Sequence, residues 1–117
     1  MITIAELTSM EELDKLLSES SGTDEIVFLK YSPVCTISFV AVSIFNRWVN
    51  ITKSDKNINI FKINVIASRD VSNKIAEIYE IRHESPQMIW LKNDGSVKWN
   101  GSHHLITEQT LNKLLDE

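Results

Sequence analysis

The stretch "EIVFLKYSPVCTISFVAVSIFNRWV", residues 25–49, joins two apolar segments through a turn that contains a proline. Its first part, 25–31, is short and rich in β-type side chains, which predicts a buried strand. The part after Pro33 has the length and the periodicity of a helix. A strand followed directly by a helix is typical of α/β architectures.

Further elements follow on both sides of this stretch. Ser9 and Glu12 have the spacing of a capping box, which predicts a helix within 7–18, followed by a loop at 18–24. Asn93-Asp94-Gly95 is a tight-turn signal between two strand-like segments, so a hairpin is predicted there. The remaining predicted elements are a strand at 57–65, a helix at 68–81 and a last helix opened by Thr107.

The predicted order is helix, strand, helix, strand, helix, hairpin, helix. Alternating strands and helices imply parallel pairing with right-handed crossovers, and the late hairpin adds an antiparallel pair. Length and order together predict a single thioredoxin-like domain over residues 1–117. This is an α/β fold in three layers, with a central mixed sheet and helices on both faces.

The composition and the charge of the chain argue against several classes of function. The formal net charge is −4 and 43% of the residues are hydrophobic, so we expect neither a nucleic-acid partner nor binding to an anionic membrane. No apolar run approaches the roughly 18 residues of a membrane span, and the first residues do not form a signal peptide. We therefore expect a cytoplasmic protein.

Cys35 is the only cysteine of the chain. A disulfide can therefore form only with another molecule, and a structural zinc site built from several thiolates is excluded. Cys35 could be a small buried hydrophobe, as many free cysteines are. Its position at a strand-to-helix turn favours a reactive thiol, because unpaired N–H groups and the helix dipole stabilise a thiolate there.

Helical periodicity divides the segment after Cys35 into two faces. One is predicted to contain Ile37, Val40, Ala41, Ile44, Trp48 and Ile51. The other is predicted to contain Cys35, Ser38, Phe39 and Val42. Both faces are apolar, so we expect the sheet to cover one and a further surface to cover the other.

Two polar residues near Cys35 have open interpretations. Ser38 completes a C-x-x-S spacing, and its hydroxyl either donates to a thiolate or is an ordinary first-turn serine. Lys30 either adds positive charge near the thiol or, more commonly for such a position, is a solvated strand end.

Proline cannot donate to a sheet ladder, so Pro86 at a strand start is either a cis-proline or a trans-proline opening an edge strand. A cis bond would expose the backbone of Ser85 to a substrate. His83 lies close in sequence and could approach the thiol, but nothing marks an oxyanion hole for a Cys–His hydrolase. His103 and His104 are adjacent and predict no metal site.

Three blocks in order carry a resemblance to a known family: "FLKYSPVCTIS", then "SRDVSNKIAEIYEIRHESPQ", then "VKWNGSHHLIT". Over nearly the whole length the chain resembles the monothiol bacilliredoxins, thioredoxin-like proteins of the bacillithiol system. The resemblance implies that Cys35 is the nucleophile and Ser38 the serine of the C-x-x-S site. It implies that Pro86 is the cis-proline and that Ser85 contacts the bound thiol.

One position departs from the family pattern. Thr36 follows the cysteine where the family usually has proline, a residue well suited to a first helical turn. Thr36 restores a backbone donor and adds a hydroxyl, so it is a candidate substrate-binding residue that could alter rate and substrate.

The resemblance implies an enzyme, a thiol–disulfide oxidoreductase without a resident cofactor. Its partners would be S-thiolated client proteins and a low-molecular-weight thiol, with bacillithiol as the co-substrate. Lys30, Arg69 or Arg82 could assist in binding the carboxylates of bacillithiol. The alternative is a non-catalytic thioredoxin-fold module for interaction or redox sensing, in which Thr36 marks a drift away from catalysis.

Overall fold

The structure is a computed structural model that describes residues 1–19 and 22–117. The strands are β1 (Ile2–Glu6), β2 (Glu25–Tyr31), β3 (Ile58–Asn64), β4 (Gln87–Leu91) and β5 (Val97–Ser102). The helices are α1 (Met10–Ser18), α2 (Thr36–Ile51), α3 (Arg69–Tyr79) and α4 (Glu108–Asp116), with a 3-10 turn at His103–Leu105. The predicted loop at 18–24 includes Ser20 and Ser21, which lie outside the described residues.

The five strands form one mixed sheet in the order β1-β3-β2-β4-β5. β1, β3 and β2 are parallel, whereas β4 pairs antiparallel with β2 and β5 antiparallel with β4. Helices α2 and α4 pack on one face, and α1 and α3 pack on the other. The predicted three-layer architecture with a central mixed sheet is therefore confirmed.

Polar caps explain where two of the helices begin. The Ser9 hydroxyl accepts from the Glu12 N–H at 3.1 Å, and the Thr107 hydroxyl accepts from the Thr110 N–H at 3.1 Å. Each bond satisfies one N–H group that a helix start leaves without an intrahelical partner. Both helix starts predicted from the sequence are confirmed.

Two predictions about the fold are wrong. Strand β1 was not expected; it pairs in parallel with β3 from Ile2 opposite Ile58 onwards. The predicted faces of α2 are also wrong in part: Ala41 and Trp48 are buried together as predicted, but Ser38 from the other predicted face and Phe45 are buried with them. The sheet covers the stripe that contains two of the three aromatic rings of α2, those of Phe45 and Trp48, and burying them removes a large apolar surface from water. Three residues that were predicted to share a face with Ala41 and Trp48 are about half exposed instead: Ile37 (53%), Val40 (51%) and Ile51 (55%).

Candidate functional site

Cys35 stands at the start of the central helix. The chain leaves β2 after Tyr31 and turns, with the Cys35 N–H donating to the Ser32 carbonyl at 3.3 Å. Cys35 is the N-cap residue of α2, with extended backbone angles (φ −113°, ψ 126°), and its thiol is free and partly exposed. A sulfur in this position faces the N–H groups that the first helical turn leaves unpaired.

These N–H groups perturb the thiol. The backbone N–H of Ser38, and next that of Ile37, lower the pKa of the Cys35 thiol, with a smaller contribution from the Ser38 hydroxyl. Partial burial acts in the opposite direction and is outweighed. Because these donors lower the pKa, they stabilise the thiolate, which is the nucleophilic form of cysteine.

Ser38 links the cysteine turn to a second loop. Its side chain is fully buried, and its hydroxyl oxygen accepts from the Ser32 N–H at 2.9 Å. The Ser85 hydroxyl lies 3.5 Å from the same oxygen, and either group can be the donor. When Ser85 donates, the single proton of Ser38 is free for the Cys35 sulfur. Ser38 is thus a buried side chain that bridges Ser32 in the cysteine turn and Ser85 in the second loop.

The loop that carries Ser85 has a cis peptide bond between Ser85 and Pro86. The alternative of a trans proline is therefore wrong. Pro86 is buried, and its carbonyl accepts from the His103 N–H at 3.0 Å. These contacts bring β4, the 3-10 turn and the start of α2 to the same end of the sheet. Thr36 also lies there, exposed at the first position of α2.

Lys30 is neither a solvated strand end nor a partner of the thiol. Its side chain is fully buried, and its Nζ donates to the Ser72 carbonyl at 2.9 Å. Nδ1 of His83 lies 3.4 Å from this Nζ and 3.2 Å from the Ser72 hydroxyl. Burial lowers the pKa of Lys30 to about 8. His83, which the sequence offered as a residue that could approach the thiol, makes these contacts with Lys30 and Ser72.

The comparisons with known proteins agree with this geometry. The family model described as monothiol bacilliredoxin BrxC matches residues 5–111. The chain belongs to the monothiol bacilliredoxin family. The resemblance of the three sequence blocks is confirmed, and membership of this family indicates a function in thiol–disulfide redox chemistry.

Solved structures similar to this bacilliredoxin share its fold. One, provisionally described as an oxidoreductase with a thioredoxin fold, is 28% identical with a TM-score of 0.79, over 97% of this chain and 94% of that one. Thioredoxin from Schistosoma mansoni gives a TM-score of 0.73 at 15% identity, over 97% and 94% of the two chains. Thioredoxin from Malassezia sympodialis gives 0.72 at 12%, over 97% and 89%. The thioredoxin-like fold is thus confirmed.

An apolar surface borders the cysteine of this bacilliredoxin. Val34, one residue before Cys35, is 83% exposed, and Phe39, four residues after it, is 72% exposed. A groove of about 410 Å³ begins at Ile37 and runs between α2 and the 3-10 turn. The groove is lined by Ile37, Val40, Ala41, Ile44, His103, His104, Ile106 and Thr107.

Two searches over residues 1–19 and 22–117 gave negative results. No group of three or more His, Cys, Asp or Glu side chains in these ranges is arranged to hold a metal ion. No helix in the same ranges has the length and apolar character needed to cross a membrane.

The sequence reasoning missed two residues near this end of the sheet. Ser72 is buried on α3 and contacts both Lys30 and His83. Gln87 is buried opposite Lys30 in the β2–β4 ladder, and its Oε1 has no hydrogen-bond partner among the described residues. A lysine ending an otherwise apolar strand is the one sequence signal of this cluster, because such a side chain needs polar partners if it is buried.

Proposed function

We propose that the protein is a thiol–disulfide oxidoreductase that removes bacillithiol, or a similar low-molecular-weight thiol, from S-thiolated client proteins in the cytoplasm. One observation carries the proposal. The only cysteine is partly exposed at the N-cap of α2, where the N–H groups of Ser38 and Ile37 lower its pKa. A cysteine tuned in this way is a nucleophile, whereas structural cysteines are inert.

In the proposed first step, the Cys35 thiolate attacks the small thiol's sulfur in the mixed disulfide. The bond between this sulfur and the client breaks, a new disulfide joins the small thiol to Cys35, and the client leaves as a thiolate that takes up a proton. Ser38 stabilises the Cys35 thiolate before attack. We assign to Ser85 and Pro86 the backbone contacts that hold the small thiol. We assign to Thr36 a further contact with this thiol at the exposed start of α2.

The second step regenerates the enzyme. A second small thiol, as its thiolate, attacks the small thiol's sulfur in the mixed disulfide and releases Cys35 as a thiolate. The product is the symmetric disulfide of the small thiol, so electrons come from thiols and no resident cofactor is required. The apolar surface around Val34, Ile37 and Phe39 suits a protein client, because exposed apolar patches commonly mark protein interaction sites.

The test uses a bacillithiolated protein as substrate and mass spectrometry as readout. We expect the client to lose one bacillithiol and Cys35 to gain it, with no transfer in Cys35→Ser. Ser38→Ala is the matched variant, expected to transfer more slowly because its thiolate is less stabilised. A client that stays modified, with no adduct on Cys35, would refute the proposal and favour a non-catalytic interaction or redox-sensing module.

A further inference from the structure

The Ser38 hydroxyl has as many partners as it has hydrogen-bonding positions. A serine hydroxyl offers one proton and two lone pairs. In the part of the chain that the structure describes, three groups contact it: the Ser32 N–H at 2.9 Å, the Ser85 hydroxyl at 3.5 Å and the Cys35 sulfur. Because every position is used, the role of each partner follows from what that partner can donate or accept.

The thiolate form of Cys35 fixes the direction of every hydrogen bond at Ser38. The Ser32 N–H occupies one lone pair, because a backbone N–H can only donate. One lone pair and the proton of Ser38 remain for Ser85 and Cys35. A thiolate carries no proton and can only accept, so it takes the Ser38 proton. The Ser85 hydroxyl must then donate to the lone pair that is left.

The neutral thiol of Cys35 permits the opposite arrangement. An S–H group is a weak donor, so it can donate to Ser38, and Ser38 can then donate to Ser85. Loss of the thiol proton therefore reverses the hydrogen bonds on both sides of the Ser38 oxygen. Hydroxyl hydrogens rotate to suit their partners, so this reversal needs no movement of the backbone.

Burial increases the effect of this chain of hydrogen bonds on the thiolate. Ser38 is fully buried, whereas Cys35 and Ser85 are partly exposed. In a medium of low dielectric constant, each hydrogen bond of a chain strengthens the next by roughly 10–30%. A hydrogen bond to a charged acceptor is also about twice as strong as one between neutral groups. A donor behind Ser38 therefore stabilises the thiolate more than the thiol.

Ser85 acts on the thiol from outside the helix that Cys35 caps. The backbone N–H groups of Ser38 and Ile37 and, less strongly, the Ser38 hydroxyl lower the pKa of the Cys35 thiol. All three groups belong to the first turn of α2. Ser85 lies 47 residues beyond Ser38, in the loop before β4. Its hydroxyl therefore connects the thiol to the loop to which we assign the contacts with the small thiol.

We propose that Ser85 is a positioning residue for the nucleophile: its hydroxyl donates to Ser38 and thereby directs the single Ser38 proton to the Cys35 thiolate. This role rests on the proposed function, since it concerns the thiolate that attacks the mixed disulfide. It uses the side chain of Ser85 and is separate from the backbone contacts assigned to the same residue. The same hydrogen bonds favour the second step, because a stabilised thiolate is a better leaving group.

The test is a double-mutant cycle on Ser38 and Ser85, read by the pH dependence of alkylation. Iodoacetamide is neutral and reacts with the thiolate, so its rate against pH gives the midpoint of Cys35. Ser38→Ala should raise this midpoint by about one, because it removes a hydrogen bond to a charged acceptor. Ser85→Ala should raise it by about 0.2–0.5, the share expected of the second bond in the chain. In the Ser38→Ala background, Ser85→Ala should cause no further shift.

Two further variants separate hydrogen bonding from packing. Ser85→Thr keeps a hydroxyl at this position and should have a midpoint closer to wild type than that of Ser85→Ala. Ser43→Ala is the matched control. It removes another serine hydroxyl from α2, an exposed one that donates to the Phe39 carbonyl at 2.9 Å, and it should leave the midpoint unchanged.

Three results would overturn the role of Ser85: an unchanged midpoint in Ser85→Ala, the same shift in the presence and absence of the Ser38 hydroxyl, or the same shift in Ser43→Ala. The same shift in both backgrounds would mean that Ser85 does not act through Ser38. The proposed function fails separately, when the wild-type protein leaves a thiolated client unchanged, because alkylation of Cys35 needs no client.

Discussion

Replacing Lys30 by methionine should stabilise the protein. The substitution keeps the length and volume of the buried side chain but removes its charge. Burial lowers the pKa of Lys30 from 10.5 to about 8, and a difference of one in pKa between the folded and unfolded states corresponds to about 1.4 kcal/mol. Loss of the hydrogen bond to the Ser72 carbonyl costs about 1 kcal/mol. The net gain expected near pH 7 is about 2 kcal/mol in the free energy of unfolding.

The stability of the wild-type protein should also depend on pH in a way that Lys30→Met abolishes. Between the two pKa values the unfolded chain holds the Lys30 proton more tightly than the folded chain, so stability rises with pH. With the pKa at about 8 when folded and 10.5 when unfolded, the rise between about pH 7 and about pH 9.5 is about 2 kcal/mol. This range stays below the titration of Tyr31, whose pKa is raised to about 12.

The assay is urea unfolding followed by tryptophan fluorescence at both pH values. Titration of Cys35 contributes in both proteins and cancels in the difference between wild type and variant. Lys74→Met, which removes a partly exposed lysine paired with Glu77, is the control and should change stability by less than about 1 kcal/mol. Equal pH slopes for wild type and Lys30→Met, or a less stable variant near pH 7, would refute the view that a buried ammonium destabilises the fold.

Four further results are expected. The alkylation rate of Cys35 should have its midpoint below the pKa of an ordinary thiol, about 8.5, and Ser38→Ala should raise this midpoint; equal midpoints would contradict a contribution from Ser38. Ser38→Cys should form an intramolecular disulfide under oxidant, seen as the loss of both titratable thiols. Thr36→Pro should stabilise by about 0.4–1 kcal/mol in urea unfolding, because Cys35 already has the extended backbone that a following proline requires. Phe45→Ala should destabilise by about 3–5 kcal/mol in the same assay, since this ring is fully buried.

Most helices and strands could be predicted from the sequence because their signals lie within a few residues of one another. The strand at 25–31, the hairpin around the Asn93-Asp94-Gly95 turn and the helix after Thr107 each carry a short-range signal within a few residues. β1 has five residues, lies at the edge of the sheet and is only partly buried. Its apolar alternation is weak, and its pairing with β3 joins residues more than fifty positions apart. A non-local partner of this kind leaves little trace in the strand itself.

The buried face of α2 could not be read from periodicity. Apolar side chains surround this helix, so two stripes compete, and only the surrounding structure decides which one meets the sheet. The observed stripe starts at Ser38, a polar residue, and includes Phe45 and Trp48. Packing the sheet against these aromatic rings leaves Phe39 exposed beside the thiol. The error therefore concerns the surface that a client would meet.

Lys30 and Ser38 show why the sequence could predict the cysteine site but not the hydrogen-bond partners of the polar residues around it. Each was recognised near Cys35 along the chain, yet the partners that define their roles lie far away: Ser72 and His83 for Lys30, and Ser85 for Ser38. Ser38 cannot resolve a mixed disulfide as a second thiol would. In the proposed function the small thiol therefore leaves Cys35 by attack from outside, so groups that hold it in place would control exchange. We assign this role to the loop that contains Ser85 and Pro86, which meets the cysteine turn through the contact between Ser85 and Ser38.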